Sequence, residues 1–166
     1  MIISGSNPLH VQQAVDALCA GELLGLPTET VYGLAADACN ENAVAKIFQA
    51  KGRPPNHPLI VHVAHADSVK KFASDIPDFA QKLMAQFWPG PLTLILPRRE
   101  EMAAAAAGGQ NSVGLRCPSL PVAHEVLKAC AAKGVWGLAA PSANLFGRVS
   151  PTSAAHVQSE FGDSLL

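Results

Sequence analysis

Residues 42–63 read NAVAKIFQAKGRPPNHPLIVHV, and this stretch changes character twice. Over 42–50, Ala43, Ile47 and Ala50 recur at helical spacing. Gly52 and Pro54 then stop the helix, because glycine adopts the left-handed conformation of a helix end and proline cannot continue one. Over 59–63 the residues turn apolar and β-branched, which predicts a strand. A helix, a proline-stiffened loop and a buried strand in succession are the building unit of a layered α/β fold.

Working outward, the same alternation continues. Val11, Ala14, Val15, Leu18 and Cys19 predict a first helix stopped by Gly21, and 23–26 a buried strand ended by Pro27. Residues 77–87 predict a helix with Phe79, Leu83 and Phe87 along one stripe, broken by Trp88-Pro89-Gly90-Pro91. The clearest strand is 92–96, closed by Pro97; 112–116 and 135–140 are two more. Helices are expected over 122–132 and 153–161, the second capped by Thr152. The Ala- then Gly-rich stretch 100–109 fits a short helix or a loop. Several strands are apolar on both faces, so the expectation is one α/β domain over residues 1–166 with a largely covered sheet.

Composition narrows the function classes. The 166 residues are 49% hydrophobic and 15% charged, which excludes general disorder. A net charge of −1 argues against tight non-specific nucleic-acid binding, where each phosphate contact needs a Lys or Arg. Cys19, Cys39, Cys117 and Cys130 form no C-x-x-C pair or zinc spacing, so they are expected to be buried or inert thiols of a reducing compartment. With no signal-like N-terminus and no apolar run near ~20 residues, a cytoplasmic protein without membrane association is expected.

Five segments concentrate polar chemistry. PTETVYGL (27–34) follows a strand and packs two hydroxyls, a carboxylate and the only tyrosine together; a capped turn would use the same residues. In 51–58, Lys51 and Arg53 flank Gly52, suiting either a helix dipole or a polyphosphate. No Walker G-x-x-x-x-G-K-[ST] is present. His62 lies in the apolar strand, as a satisfied core residue or a functional one, and H-x-x-H at 62–65 lacks the context of a zinc site. Arg116 ends another apolar strand and needs an anion, from a ligand or a structural acid. Ser142, Asn144, Arg148 and Ser150 gather after Ala139-Ala140-Pro141, where small residues let a ligand approach the backbone. No G-x-S-x-G elbow supports a serine hydrolase.

PTETVYGL (27–34), AKGRPPNHPLIVHV (50–63), FWPGPLTLIL (87–96), SVGLRCP (112–118) and APSANLFGRVSPT (140–152) together resemble the YrdC-like family of threonylcarbamoyl-AMP synthases, in the family's order. The resemblance implies a single-domain α/β fold, a twisted mixed sheet with flanking helices around a positively charged cavity. It implies formation of threonylcarbamoyl-AMP and pyrophosphate from ATP, L-threonine and bicarbonate, with Mg²⁺ accompanying ATP. The product would feed tRNA threonylcarbamoyladenosine modification through a downstream transfer machinery. Lys51, Arg53, Ser142 and Asn144 match the K-x-R and S-x-N signature. Arg53, His57, Ser112, Ser142 and Ser150 fall at ATP contacts; His57 is often Asn in relatives. Thr30, His62, Arg116 and Ala140 fall where threonine is held. No protein-held metal is implied. Family members usually continue past the equivalent of Gly162-Asp163 with a strand and a closing segment, which is expected to be missing from 1–166. The alternatives are an RNA-binding module of the same fold, a carbamoyl-transfer domain like that of hydrogenase maturation, and a fold relative without activity.

Overall fold

Helix α1 (Pro8–Cys19) starts where the Asn7 side chain accepts from the Leu9 N–H and Pro8 fills the first turn. The computed structural model describes residues 1–162 and Leu165. After α1 come β1 (Leu24–Leu26), β2 (Gly33–Asp37), α2 (Glu41–Lys51), β3 (Ile60–His62), a 3₁₀ turn over Ala66–Ser68, and α3 (Val69–Phe72). Then follow α4 (Asp78–Phe87), β4 (Leu94–Pro97), a 3₁₀ turn over Ala105–Ala107, β5 (Ser112–Arg116), α5 (Pro121–Ala132), β6 (Leu138–Ala139) and α6 (Ala154–Phe161). Asn40 caps α2 through the Ala43 N–H, and Gly52 closes it at φ 60°, a left-handed conformation that costs glycine least.

Among the described residues six strands lie in the order β1-β2-β6-β3-β5-β4. Only β3 and β5 run parallel; the other pairs are antiparallel, so the sheet is mixed. Register decides what shares a face. Ile60 pairs with Gly114 and His62 with Arg116, while Ile95 stands opposite Gly114. Alternation then puts Ile60, His62, Gly114, Arg116 and Ile95 on one face.

The two faces are covered unequally. On one, Leu34, Val61, Val63, Val113, Leu115, Leu94 and Leu96 pack with residues of α2, α3 and α4 into the larger core. On the other, Leu24, Leu26, Ala35, Leu138 and Ala140 pack against α1 and α5. That cover ends at β3, leaving Ile60 38% and Ile95 74% exposed. The sheet is thus largely covered as expected, with Ile60 and Ile95 as exposed exceptions on the second face, where His62 and Arg116 are buried.

Other expectations need correction. The buried residues of α4 are Ala80 and Met84, while Phe79 and Phe87 face solvent. The α6 cap is Ser153, whose hydroxyl accepts from the His156 N–H at 3.2 Å, not Thr152. The strand expected over 135–140 shrinks to two residues; at its start the Val135 N–H is bonded back to the Cys130 carbonyl of α5. Cys117 and Cys130 are buried, and burial pushes their thiols up to about 11 and about 12. Cys19 and Cys39 are exposed and free, so burial accounts for only two of the four thiols. No helix among the described residues is long and apolar enough to cross a membrane. The closing segment expected to be missing would follow Gly162-Asp163, and that expectation lies outside the described residues.

Candidate functional site

Lys51, the last residue of α2, joins the two phosphate-suited segments. Its ammonium donates to the carbonyls of Ser142 and Asn144, and the Phe146 N–H donates to its own carbonyl at 2.8 Å. Three bonds therefore fasten 142–146 to the end of α2. The side chain is buried. Burial, and secondarily the charge of Arg53, lower its pKa to about 8, against a raising effect of Glu160. An ammonium has three donors, so one remains after the two carbonyls are served.

The same loop is braced from within. The Asn144 amide donates to the carbonyls of Leu145 and Arg148 at 2.8 and 2.9 Å, and its Oδ1 is buried without a partner. Glu160 of α6 accepts from the Leu145 N–H at 3.2 Å and lies 3.5 Å from Arg148. Across from it, Arg53 donates to the Pro58 carbonyl at 3.3 Å, and its guanidinium stands 5.9 Å from the centre of the Phe146 ring. Arg53 Nε is buried and unpaired. The His57 and Phe146 rings lie 5.6 Å apart, tilted by 59°.

A second polar cluster stands on the β3–β5 part of the second face, with His62 and Arg116 buried. Arg116 donates to the Thr30 hydroxyl at 3.1 Å and lies 3.0 Å from Glu29 Oε1, an ion pair without a well-aligned N–H at that oxygen. Glu29 also accepts from the Ser119 N–H at 3.3 Å. Its pKa ends below the usual carboxylate value: desolvation, the largest effect, raises it, but backbone donors and Arg116 together outweigh that. Thr30 further bonds Thr28, which donates to the Val31 carbonyl. His62 sits beside Arg116 in the sheet. Burial, and then the charge of Arg116, lower its pKa to about 4, so it is neutral near pH 7.

The expected residues therefore fall into two groups. Lys51, Arg53, His57, Ser142 and Asn144 meet where α2 touches 142–146. Thr30, His62 and Arg116 meet on the sheet. Ala140 lies between, but its N–H is taken by the Ile60 carbonyl, so it has its carbonyl to offer a ligand. Ser112 opens β5 at the opposite end from Arg116, its hydroxyl bonded to Gln110 at 3.3 Å. Ser150 is half-buried next to Pro151, whose carbonyl receives the Tyr32 N–H.

Three participants were not named from sequence. Glu29 lay inside a noted segment, and the need of Arg116 for an anion was its signal. Phe146 could have been found as an aromatic among small polar residues. Glu160 gave no local signal, since it reaches the site only through the packing of α6.

Comparison with known proteins gives the family and the fold. The family model Sua5/YciO/YrdC, described as "Telomere recombination", matches residues 16–166. The threonylcarbamoyl-AMP synthase of Pyrococcus abyssi is 48% identical over 141 residues, covering 85% of this chain and 40% of that protein. That of Bacillus subtilis is 42% identical over 153 residues, covering 92% and 43%. The structure of P. abyssi Sua5 complexed with L-threonine superimposes with a TM-score of 0.91 at 40% identity, covering 100% of this chain and 47% of the other. The chain thus spans less than half the length of these relatives.

Proposed function

The chain belongs to the Sua5/YciO/YrdC family, and from that premise we propose that it forms L-threonylcarbamoyl-AMP and pyrophosphate from ATP, L-threonine and bicarbonate. The observation that carries this reading is a pair of unlike polar groups on adjoining segments, since the Ala143 N–H donates to the Tyr32 carbonyl and Gly33 bridges Ser142. One is a cation-bearing crossing of segments at Lys51 and Arg53. The other is a fork of Arg116 toward Glu29 and Thr30. A triphosphate suits the first, and a small zwitterion with a hydroxyl suits the second.

In this reading the threonine amine and bicarbonate form a carbamate with loss of water. A carbamate oxygen attacks the α-phosphate of ATP and pyrophosphate leaves. The protein's part is positioning and charge stabilisation. Arg53 and the spare donor of Lys51 face developing phosphate charge. Arg116 and Thr30 orient threonine, and a neutral His62 offers a hydrogen bond without adding a charge.

Magnesium accompanies ATP as part of the substrate. Among the described residues no trio of His, Cys, Asp or Glu could hold a metal, and the two carboxylates of the site, Glu29 and Glu160, are paired with arginines. The product would serve tRNA threonylcarbamoyladenosine modification with a downstream transfer machinery, which carries a cytoplasmic location with it.

The test is pyrophosphate release from ATP with threonine and bicarbonate omitted in turn. Release that needs both supports the proposal. Release independent of threonine, or none under any condition, refutes it for this chain.

A further inference from the structure

We propose that Phe146 is the stacking platform for the nucleotide's base, with His57 bracing its rim. This rests on the reading above that the site holds a nucleotide.

Phe146 is 48% exposed, yet it does not stand on a loose loop. Its N–H is bonded to the Lys51 carbonyl at 2.8 Å. The flanking carbonyls of Leu145 and Arg148 are both held by the Asn144 amide. The residue after it, Gly147, takes φ +84°, the left-handed turn that returns the chain. A rigid backbone thus holds up an aromatic ring that the protein core does not cover.

The surroundings of the ring fit a base with its phosphates nearby. The Arg53 guanidinium lies 5.9 Å from the ring centre and the tilted His57 ring 5.6 Å away. Both belong to the loop that continues from Lys51, so the ring and the phosphate-suited cations share one support. Arg53 can then serve both the ring, as a cation over its face, and the ligand. The remaining ring surface is free to receive a flat heterocycle. Stacking of this kind responds to ring area and not to exocyclic groups. The expected selectivity is therefore purine over pyrimidine, with little distinction between adenine and hypoxanthine.

The experiment is calorimetric titration of the full chain, as wild type, Phe146→Ala and Phe146→Trp, with ATP, ITP, CTP and inorganic tripolyphosphate. Loss of one base-stacking contact should weaken ATP and ITP roughly tenfold in Phe146→Ala. CTP should lose less, tripolyphosphate nothing, and Phe146→Trp should restore purine binding. Unchanged ATP affinity in Phe146→Ala would overturn the proposal. So would an equal loss for tripolyphosphate, since the ring would then only hold the loop. Weakened binding of a short RNA with ATP binding intact would overturn it in favour of RNA. A wild type that shows the purine pattern but releases no threonine-dependent pyrophosphate keeps the platform and sinks the synthase reading. A wild type that binds no nucleotide sinks both.

Discussion

Replacing Lys51 by methionine separates fastening from chemistry. Methionine keeps the apolar stem of a side chain that is 2% exposed and removes the ammonium. The fall of that ammonium from 10.5 to about 8 corresponds to a cost of about 3 kcal/mol for holding the charge at neutral pH. Methionine removes the cost but strips the Ser142 and Asn144 carbonyls of their donors. Each buried acceptor left unpaired costs about 1–3 kcal/mol. The two acceptors together cost about 2–6 kcal/mol, so the effects partly cancel and stability should change by about 3 kcal/mol or less, at most roughly 6–12 °C in Tm for a chain of this size. Turnover should fall by about 10²-fold or more, the scale of one preorganised charge. Circular-dichroism melting and pyrophosphate release measure the two quantities. A folded variant with wild-type turnover would refute the role of the charge, and a loss of Tm far beyond that range would refute the cancellation. The pH dependence adds a check. Between pH 8 and 10.5 the unfolded chain keeps a proton that the folded chain has lost, so wild-type stability should gain from this group as pH rises. The methionine variant should lack that gain.

Three further outcomes are expected. Arg116→Lys cannot span Glu29 and Thr30 at once, so KM for threonine should rise roughly tenfold or more with KM for ATP little changed; steady-state kinetics decide it. His62 stays neutral down to about pH 4 while an unfolded histidine protonates near 6.5, so stability should fall as pH drops through that window. Urea unfolding of His62→Gln should show a flatter profile there; an unchanged slope would rule this out. At Gly114 an added Cβ would sit 3.4 Å from Thr93 and 3.6 Å from Ile60, ordinary contact. Gly114→Ala should therefore leave Tm within a few degrees, while a methyl beside His62 and Arg116 on that face should cut turnover at least tenfold if a ligand lies against it; full activity would show that none does.

Strong local patterns were legible. Strand 112–116 was read with its observed bounds because β-branched and apolar residues sit between clear breakers. Strand β2 was not read, since Gly-Leu-Ala-Ala-Asp has small residues where a strand would show branched ones, and its start belonged to PTETVYGL. The stripe of α4 was misjudged because Phe79–Leu83–Phe87 and Ala80–Met84 have the same spacing, and only packing chooses between adjacent stripes. The residue types of the site were legible, but their partners were not. That Lys51 would be served by two carbonyls, and Arg116 by Glu29, depends on contacts 91, 93 and 87 residues apart, counting 116 minus 29 for the last.

Those separations also govern when the site forms. Closing loops of such length costs entropy that local helices do not incur, so the crossing of Lys51 with 142–144 is expected to form after the strands between them. On that expectation its contacts are weak in the folding transition state, which φ-values at Ser142 and Asn144 near zero would show. A ligand that tightens the crossing would then slow unfolding and leave the folding rate nearly untouched, lengthening the lifetime of the native chain without speeding its arrival.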